Sequence, residues 1–262
     1  MRVGGTNCDA ETKRALGDLG VKSDIVHLND MVAKKKLLDY SALVFPGGFS
    51  YGDYVRAGAI FAKRVMAKLN EQLTQFVNEE RPILGICNGF QVLVEAGLLP
   101  GFDGVNELPE VALATNFPIG YRCTWVHLKH ENKGKCIFTQ TIGNGQVLAM
   151  PVAHAEGRFI FEKKKERDYL NRLCDDDHLV FRYCTEEGEF ANGRYPVNPN
   201  GSFYDIAGIC DSTGAILGLM PHPERAYYGW QLPEWTKLER IPKYGDGKTI
   251  FESMIKYLTE KF

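Results

Sequence analysis

A cysteine stands between two glycines in Gly85-Ile86-Cys87-Asn88-Gly89, directly after the apolar run Pro82-Ile83-Leu84. An apolar strand that runs into Gly-x-Cys-x-Gly and on into a helix makes a sharp elbow, because glycine lacks the Cβ that would block the turn. The residue at the bend is held in strained geometry with its side chain presented outward. Here that residue is Cys87. It is expected at a helix N-terminus, where free N–H groups and the helix dipole favour a thiolate, the nucleophilic form of cysteine. Free cysteines are also commonly small buried core residues, so the motif taken alone leaves both readings open.

A thiol nucleophile needs a proton-transfer partner. Of six histidines, His222 stands out, in Met220-Pro221-His222-Pro223-Glu224-Arg225. It follows an apolar run at 216–220, at the strand end where a parallel sheet presents its functional loops. Pro223 keeps the residue before it extended, and in an extended chain residues two apart point to the same side. Glu224 is therefore expected to orient the imidazole and fix its tautomer, as the acidic member of a triad does. A proline-stiffened surface turn is the competing reading of this segment. Combined with an elbow cysteine, the set Cys87, His222 and Glu224 outweighs it. The loop Pro46-Gly47-Gly48-Phe49-Ser50-Tyr51-Gly52-Asp53 supplies a third part. Glycine-rich loops after a strand can aim amides at a developing oxyanion, and the backbone N–H groups of Gly48 and Asn88 are the expected donors.

Strands and helices must position these groups. Short strands are expected at 24–28, 42–45 and 83–86, with a long helix through Phe61, Val65, Leu69, Leu73, Phe76 and Val77 and another at 88–97, closed by Gly97. Strand and helix in alternation indicate a parallel sheet covered on both faces. The second half is richer in strands, at 121–129, 146–152, 179–183, 205–210 and 216–220. Gly245-Asp246-Gly247 then introduces a last amphipathic helix, with Ile250, Phe251, Met254, Ile255 and Leu258 on one stripe. No linker divides the chain, so residues 1–262 read as one domain.

Composition narrows the function classes. Net charge is −2 with 44% apolar and 24% charged residues, so nothing points to nucleic acid. The runs Lys34-Lys35-Lys36 and Lys163-Lys164-Lys165 read as solvated faces. No apolar stretch approaches the ~18 residues of a membrane span, and the first residues lack a signal-peptide core. Seven scattered cysteines, an odd number, favour reduced thiols and a cytoplasmic setting. Cys123, His127, His130 and Cys136 have loosely zinc-like spacing. A strand there would put Cys123 and His127 on one face and His130 on the other, so no metal site is expected.

With these parts in place the chain resembles a triad-type glutamine amidotransferase domain and, more narrowly, the glutaminase subunits of phosphoribosylformylglycinamidine synthases of purine biosynthesis. The elbow GICNGFQ and the segment MPHPERA carry the wider likeness. The narrower one rests on Gly5-Thr6-Asn7-Cys8-Asp9, PGGFSYGDYVRAGAI, VAHAEGRF at 152–159 and NPNGSFYDIAGICDSTGAILGLMPHPERA at 198–226, and covers nearly the whole chain. The resemblance implies a flavodoxin-like α/β fold, doubly wound, with a mostly parallel sheet and an added antiparallel element. It implies Cys87 as nucleophile, His222 as acid/base and Glu224 as its orienter, and adds Gln91, His154 and Glu156 as residues that help hold substrate glutamine. It implies no cofactor in this chain. Ammonia would pass to a large synthase subunit that uses ATP and magnesium to convert formylglycinamide ribonucleotide to the amidine, and a small third subunit would complete the complex.

Two features depart from that pattern. Only Met1-Arg2-Val3 precedes Gly4 where the family carries a longer apolar strand, so either the first strand is short or the true start lies upstream. Residues 228–244 form an extension before the last helix and carry Trp230 and Trp235. The alternative function is a free-standing cysteine hydrolase of the same fold, a γ-glutamyl hydrolase or thioesterase, which would need no partner. A non-catalytic binding module of this fold is the third reading, and an intact Cys/His/Glu set argues against it.

Overall fold

A computed structural model describes residues 1–34 and 37–261. In chain order the elements are α1 (Asp9–Asp18), α2 (Leu28–Lys34), β1 (Leu43–Phe45), α3 (Ala59–Asn78), β2 (Ile83–Ile86), α4 (Asn88–Glu95), β3 (Val111–Thr115), β4 (Arg122–His130), β5 (Val147–His154), β6 (Glu156–Phe161), α5 (Glu166–Asp175), β7 (Leu179–Cys184), β8 (Ile206–Cys210), β9 (Ile216–Leu219) and α6 (Lys248–Lys261). One sheet runs in the order β1-β2-β9-β8-β7-β4-β5, and β3 pairs with β6 in a separate antiparallel ribbon.

Three strands set the functional edge. β1 pairs parallel with β2, and β2 parallel with β9, in the register Gly85↔Gly218 and Ile86↔Leu219. Both β2 and β9 are buried at every position, which explains why they read as unbroken apolar runs rather than alternating ones. Because the three are parallel, their C-terminal ends lie together. The loop from Pro46, the elbow at Cys87 and the segment from Met220 to Glu224 therefore emerge at one edge, where open α/β sheets bind their ligands.

Beyond β9 the pairing is antiparallel throughout, from β8 to β7, β4 and β5. β5 alternates half-buried and buried positions along its length, the pattern of a strand with one face on the core. The antiparallel portion also reaches the functional edge, since the amide of His222 donates to Pro151 O of β5 at 2.9 Å. α3 packs its Phe61, Val65, Leu69, Leu73 and Phe76 stripe into the core. Buried residues from both halves join in one hydrophobic cluster.

The strand expected at 24–28 does not form. Only His27 pairs, in an isolated parallel bridge with Arg2, and α2 begins at Leu28. A strand needs a run of facing partners, and the N-terminal segment offers Arg2 before it turns at Gly4 and Gly5. Lys35 and Lys36 lie outside the described residues, whereas Lys163, Lys164 and Lys165 form an exposed turn ahead of α5. Among the described residues no helix is long and apolar enough to cross a membrane.

Candidate active site

Cys87 sits at φ 51°, ψ −103°, between the last residue of β2 and the first of α4. A non-glycine residue at positive φ costs about 1–3 kcal/mol and persists only where its surroundings hold it. Here both glycines hold it. A Cβ on Gly85 would lie 2.8 Å from the Gly89 backbone, and one on Gly89 would lie 1.9 Å from Phe45 O at the end of β1. The elbow read from the sequence is therefore present, and the wall it presses on is β1.

His222 is extended, at φ −106° and ψ 93°. The expectation that Glu224 follows in the same extended run is corrected: Pro223–Arg225 is a short 3-10 turn, which proline at its first position favours. The turn still delivers the carboxylate, and His222 Nδ1 lies 2.6 Å from Glu224 Oε1. Each of these two residues is only 2% exposed. Burial works against a charged imidazole, but the Glu224 carboxylate, with Cys87 and Cys8 beside the ring, pushes the His222 pKa well above its ordinary value. The Cys87 thiol lies against Ala153 O at 3.6 Å, and His222 Nε2 makes no regular hydrogen bond. Cys87 thus stands within electrostatic reach of the ring without being bonded to it. The extension at 228–244 supports this strand end, since Gln231 Nε2 donates to Glu224 O at 3.2 Å and Gln231 Oε1 accepts from the Tyr227 and Tyr228 amides.

The glycine-rich loop closes over the same edge. Gly48 adopts φ 146°, and a Cβ there would lie 2.6 Å from Gly5 O. Gly47 is required for a different reason, because a Cβ on it would lie 2.7 Å from His222 Cε1 and 3.1 Å from Cys8 Sγ. The Asn88 amide is in the first turn of α4, where helix N–H groups lack intrahelical acceptors. The Asn88 side chain ties the loop to the helix by accepting from Ser50 N at 3.2 Å.

The remaining sequence candidates converge beside the elbow, each already engaged. Gln91 Oε1 accepts from Asn88 Nδ2 at 2.9 Å, and Gln91 Nε2 donates to the Glu156 carbonyl. Glu156 Oε2 accepts from Ala57 N at 3.0 Å. His154 Nδ1 lies 3.2 Å from Asn116 Oδ1, and burial, with the His222 and Arg122 charges adding, drives its pKa down to about 3. The zinc-like set does not gather. Cys123 is exposed and His127 half-buried on one face of β4, while His130 is buried on the other, as is Cys136 farther along the chain.

Sequence reading gave no role to three residues that the fold brings to the site. Asp53, at φ 52°, faces Glu156, and burial together with that carboxylate raises its pKa to about 6. Cys8 Sγ lies 3.9 Å from His222 Nδ1, and Arg225 Nη2 donates to Cys8 Sγ at 3.1 Å. Cys8 and Asp53 both fall in motifs quoted for the resemblance, and Arg225 ends the segment that carries His222. That placement was the available signal. A cavity of about 590 Å³ elsewhere is lined by Met1, Leu16, Val26, Leu43, Met254 and Leu258 among others and includes neither Cys87 nor His222.

Residues 1–258 match the model of the CobB/CobQ-like glutamine amidotransferase domain. The phosphoribosylformylglycinamidine synthase subunit PurQ of Archaeoglobus fulgidus is 49% identical over 268 aligned positions, which cover 98% of this chain and 95% of that protein. The protein of the same name from Methanococcus maripaludis is 47% identical, covering 91% of this chain and 85% of its own length. Among solved structures, a chain of PurLQS from Thermotoga maritima superposes with a TM-score of 0.73 at 34% identity, covering 98% of this chain and 96% of that one.

Proposed function

The chain belongs to the CobB/CobQ-like glutamine amidotransferase family, and from that premise we propose that it hydrolyses glutamine and delivers the ammonia to a synthase partner. The relatives that match along nearly its whole length are subunits of phosphoribosylformylglycinamidine synthase, and this chain acts as the glutaminase subunit of such an enzyme. The observation that carries the reading is the 2.6 Å contact of His222 Nδ1 with Glu224 Oε1 beside a cysteine held at φ 51°.

The geometry supports the following reaction. His222 takes the thiol proton as Cys87 Sγ attacks the side-chain amide carbon of glutamine. The amides of Gly48 and Asn88 stabilise the oxyanion that forms. His222 returns the proton to the leaving nitrogen, and ammonia departs from a γ-glutamyl thioester. Water, deprotonated by the same imidazole, then cleaves the thioester to glutamate and regenerates the thiol. Glu224 keeps the ring in the tautomer that leaves Nε2 free for this traffic.

Substrate specificity lies beyond the elbow. The paired carboxylates of Asp53 and Glu156 meet the α-ammonium of glutamine, while Gln91 holds the Glu156 backbone in place and His154, neutral and buried, shapes the wall behind His222. Ammonia is consumed on a large synthase subunit, where ATP and magnesium convert formylglycinamide ribonucleotide to the amidine, with a small third subunit completing the complex. A glutamine-derived diazo-ketone, followed by peptide mapping, tests the nucleophile: it should label Cys87 and leave the other six cysteines unmodified, and labelling at Cys8 instead would remove the assignment.

A further inference from the structure

Glu224 has two neighbours that want its oxygens. His222 holds Oε1 at 2.6 Å, and Arg225 Nε stands 4.0 Å from the same atom. Glu224 Oε2 is buried with no hydrogen-bond partner. A guanidinium matches a carboxylate as a two-pronged donor, so an arginine beside a buried carboxylate with an open oxygen should collapse onto it. Here it does not. Arg225 Nη2 instead donates to Cys8 Sγ at 3.1 Å, and Arg225 Nε faces Glu11 Oε1 at 3.9 Å.

Cys8 is built to receive it. It is 1% exposed at the start of α1. Its amide donates to Gly47 O at 3.2 Å, and its carbonyl accepts from Thr12 Oγ1 at 2.7 Å. The thiol donates to Asn7 Oδ1 at 3.1 Å. With the S–H turned to Asn7, the sulfur lone pairs face Arg225 and the imidazole. Burial pushes the Cys8 thiol pKa up, outweighing the lowering effects of His222 and Arg225, in keeping with a neutral acceptor. Gly47 leaves room for sulfur and ring to sit side by side, since a Cβ there would meet both.

We propose that Cys8 is a positioning residue: its sulfur holds the Arg225 guanidinium away from Glu224, so that the carboxylate stays committed to His222 Nδ1. Cys8 takes no part in the chemistry itself. Its loss frees Arg225 to bond Glu224, which loosens the imidazole. The role rests on the glutaminase reading of the site.

The test uses the full chain assembled with its synthase partner, and compares Cys8→Ala, Cys8→Ser and the double variant Cys8→Ala/Arg225→Gln. Cys8→Ala should lower kcat with glutamine about tenfold or more, as mis-set imidazoles do, with KM and the ammonia-dependent rate unchanged. Cys8→Ser keeps an acceptor for Arg225 and should stay within about threefold of wild type, a difference under ~1 kcal/mol. Removing the guanidinium in the double variant should restore most of the lost kcat, which a purely structural role for Cys8 could not explain. Wild-type kcat in Cys8→Ala, or a loss that Arg225→Gln fails to recover, would overturn the proposal. A wild-type complex that uses ammonia but not glutamine would instead remove the glutaminase reading, and the proposal with it.

Discussion

Gly89 stands so close to Phe45 that a Cβ on it would lie 1.9 Å from the Phe45 carbonyl oxygen. The elbow that holds Cys87 is therefore set by a backbone-to-backbone contact between the start of α4 and the end of β1. Gly89→Ala should force these elements apart and destabilise the protein by at least the about 1–3 kcal/mol typical of overpacking. Gly17, inside α1 with nothing within 4 Å of its added Cβ, is the control, and Gly17→Ala should stabilise by about 0.5–1 kcal/mol. Denaturant midpoints compare the two. A Gly89→Ala protein as stable as wild type would mean that the elbow does not press on β1.

The two polar members of the triad should not be equivalent. In the proposed mechanism His222 moves the proton, so His222→Ala should cost about 10²–10⁴-fold in kcat. Glu224→Gln leaves the ring in place with a weaker orienting bond and should cost less. Steady-state glutamine hydrolysis in the assembled complex gives the order, and equal near-wild-type rates in both variants would remove the triad.

Buried neutral histidines make the fold acid-sensitive. Burial is the main cause that lowers His154 to about 3 and His178 to about 4, both from 6.5. Between those values and 6.5 the unfolded chain binds protons that the folded one does not. Their contribution to stability is thus complete above about pH 6.5 and falls as pH drops, by about 1.4 kcal/mol per pH unit for each histidine. Urea midpoints measured from pH 7 to pH 4.5 should show that slope, and His154→Asn should reduce it. An unchanged slope in the variant would mean that His154 titrates in the folded protein as it does in the unfolded chain.

Glutamine affinity should weaken in acid for a separate reason. Burial and the neighbouring Glu156 raise Asp53 to about 6, so the charge proposed to meet the α-ammonium is present above that pH and lost below it. KM for glutamine should rise as pH falls through about 6, while Asp53→Asn should show a high KM with little pH dependence. A KM that is flat for wild type across that range would take Asp53 out of substrate binding.

Much of the site was legible because its parts are local. Gly85, Cys87 and Gly89 lie within one turn of chain, and Pro223 restrains the histidine beside it, so the backbone chemistry shows in short motifs. What escaped reading is long-range. Cys8 and His222 are 214 residues apart in sequence, and nothing near Cys8 announces an imidazole. Asp53 acquires its meaning from Glu156 on a distant strand. Glu224 was placed on the right side of the chain for an incomplete reason, since a 3-10 turn rather than an extended run delivers it. Among the elements, β2 and β9 were plain because burial on both faces leaves unbroken apolar runs. The ribbon of β3 and β6 was missed, although Val111, Leu113, Phe159 and Phe161 alternate as an edge pair would. The segment at 24–28 was misread because a strand-like composition cannot supply the missing partner.

The central claim is that this chain makes ammonia from glutamine at Cys87 for use elsewhere. The most direct measurement is amidine synthesis by the chain assembled with its synthase partner, run with glutamine or with ammonium salt as the nitrogen source. Cys87→Ser should abolish synthesis from glutamine and leave synthesis from ammonia at the wild-type rate. Glutamine-dependent synthesis that survives Cys87→Ser, or full glutamine hydrolysis by the isolated wild-type chain that no partner alters, would contradict the account and favour a free-standing hydrolase.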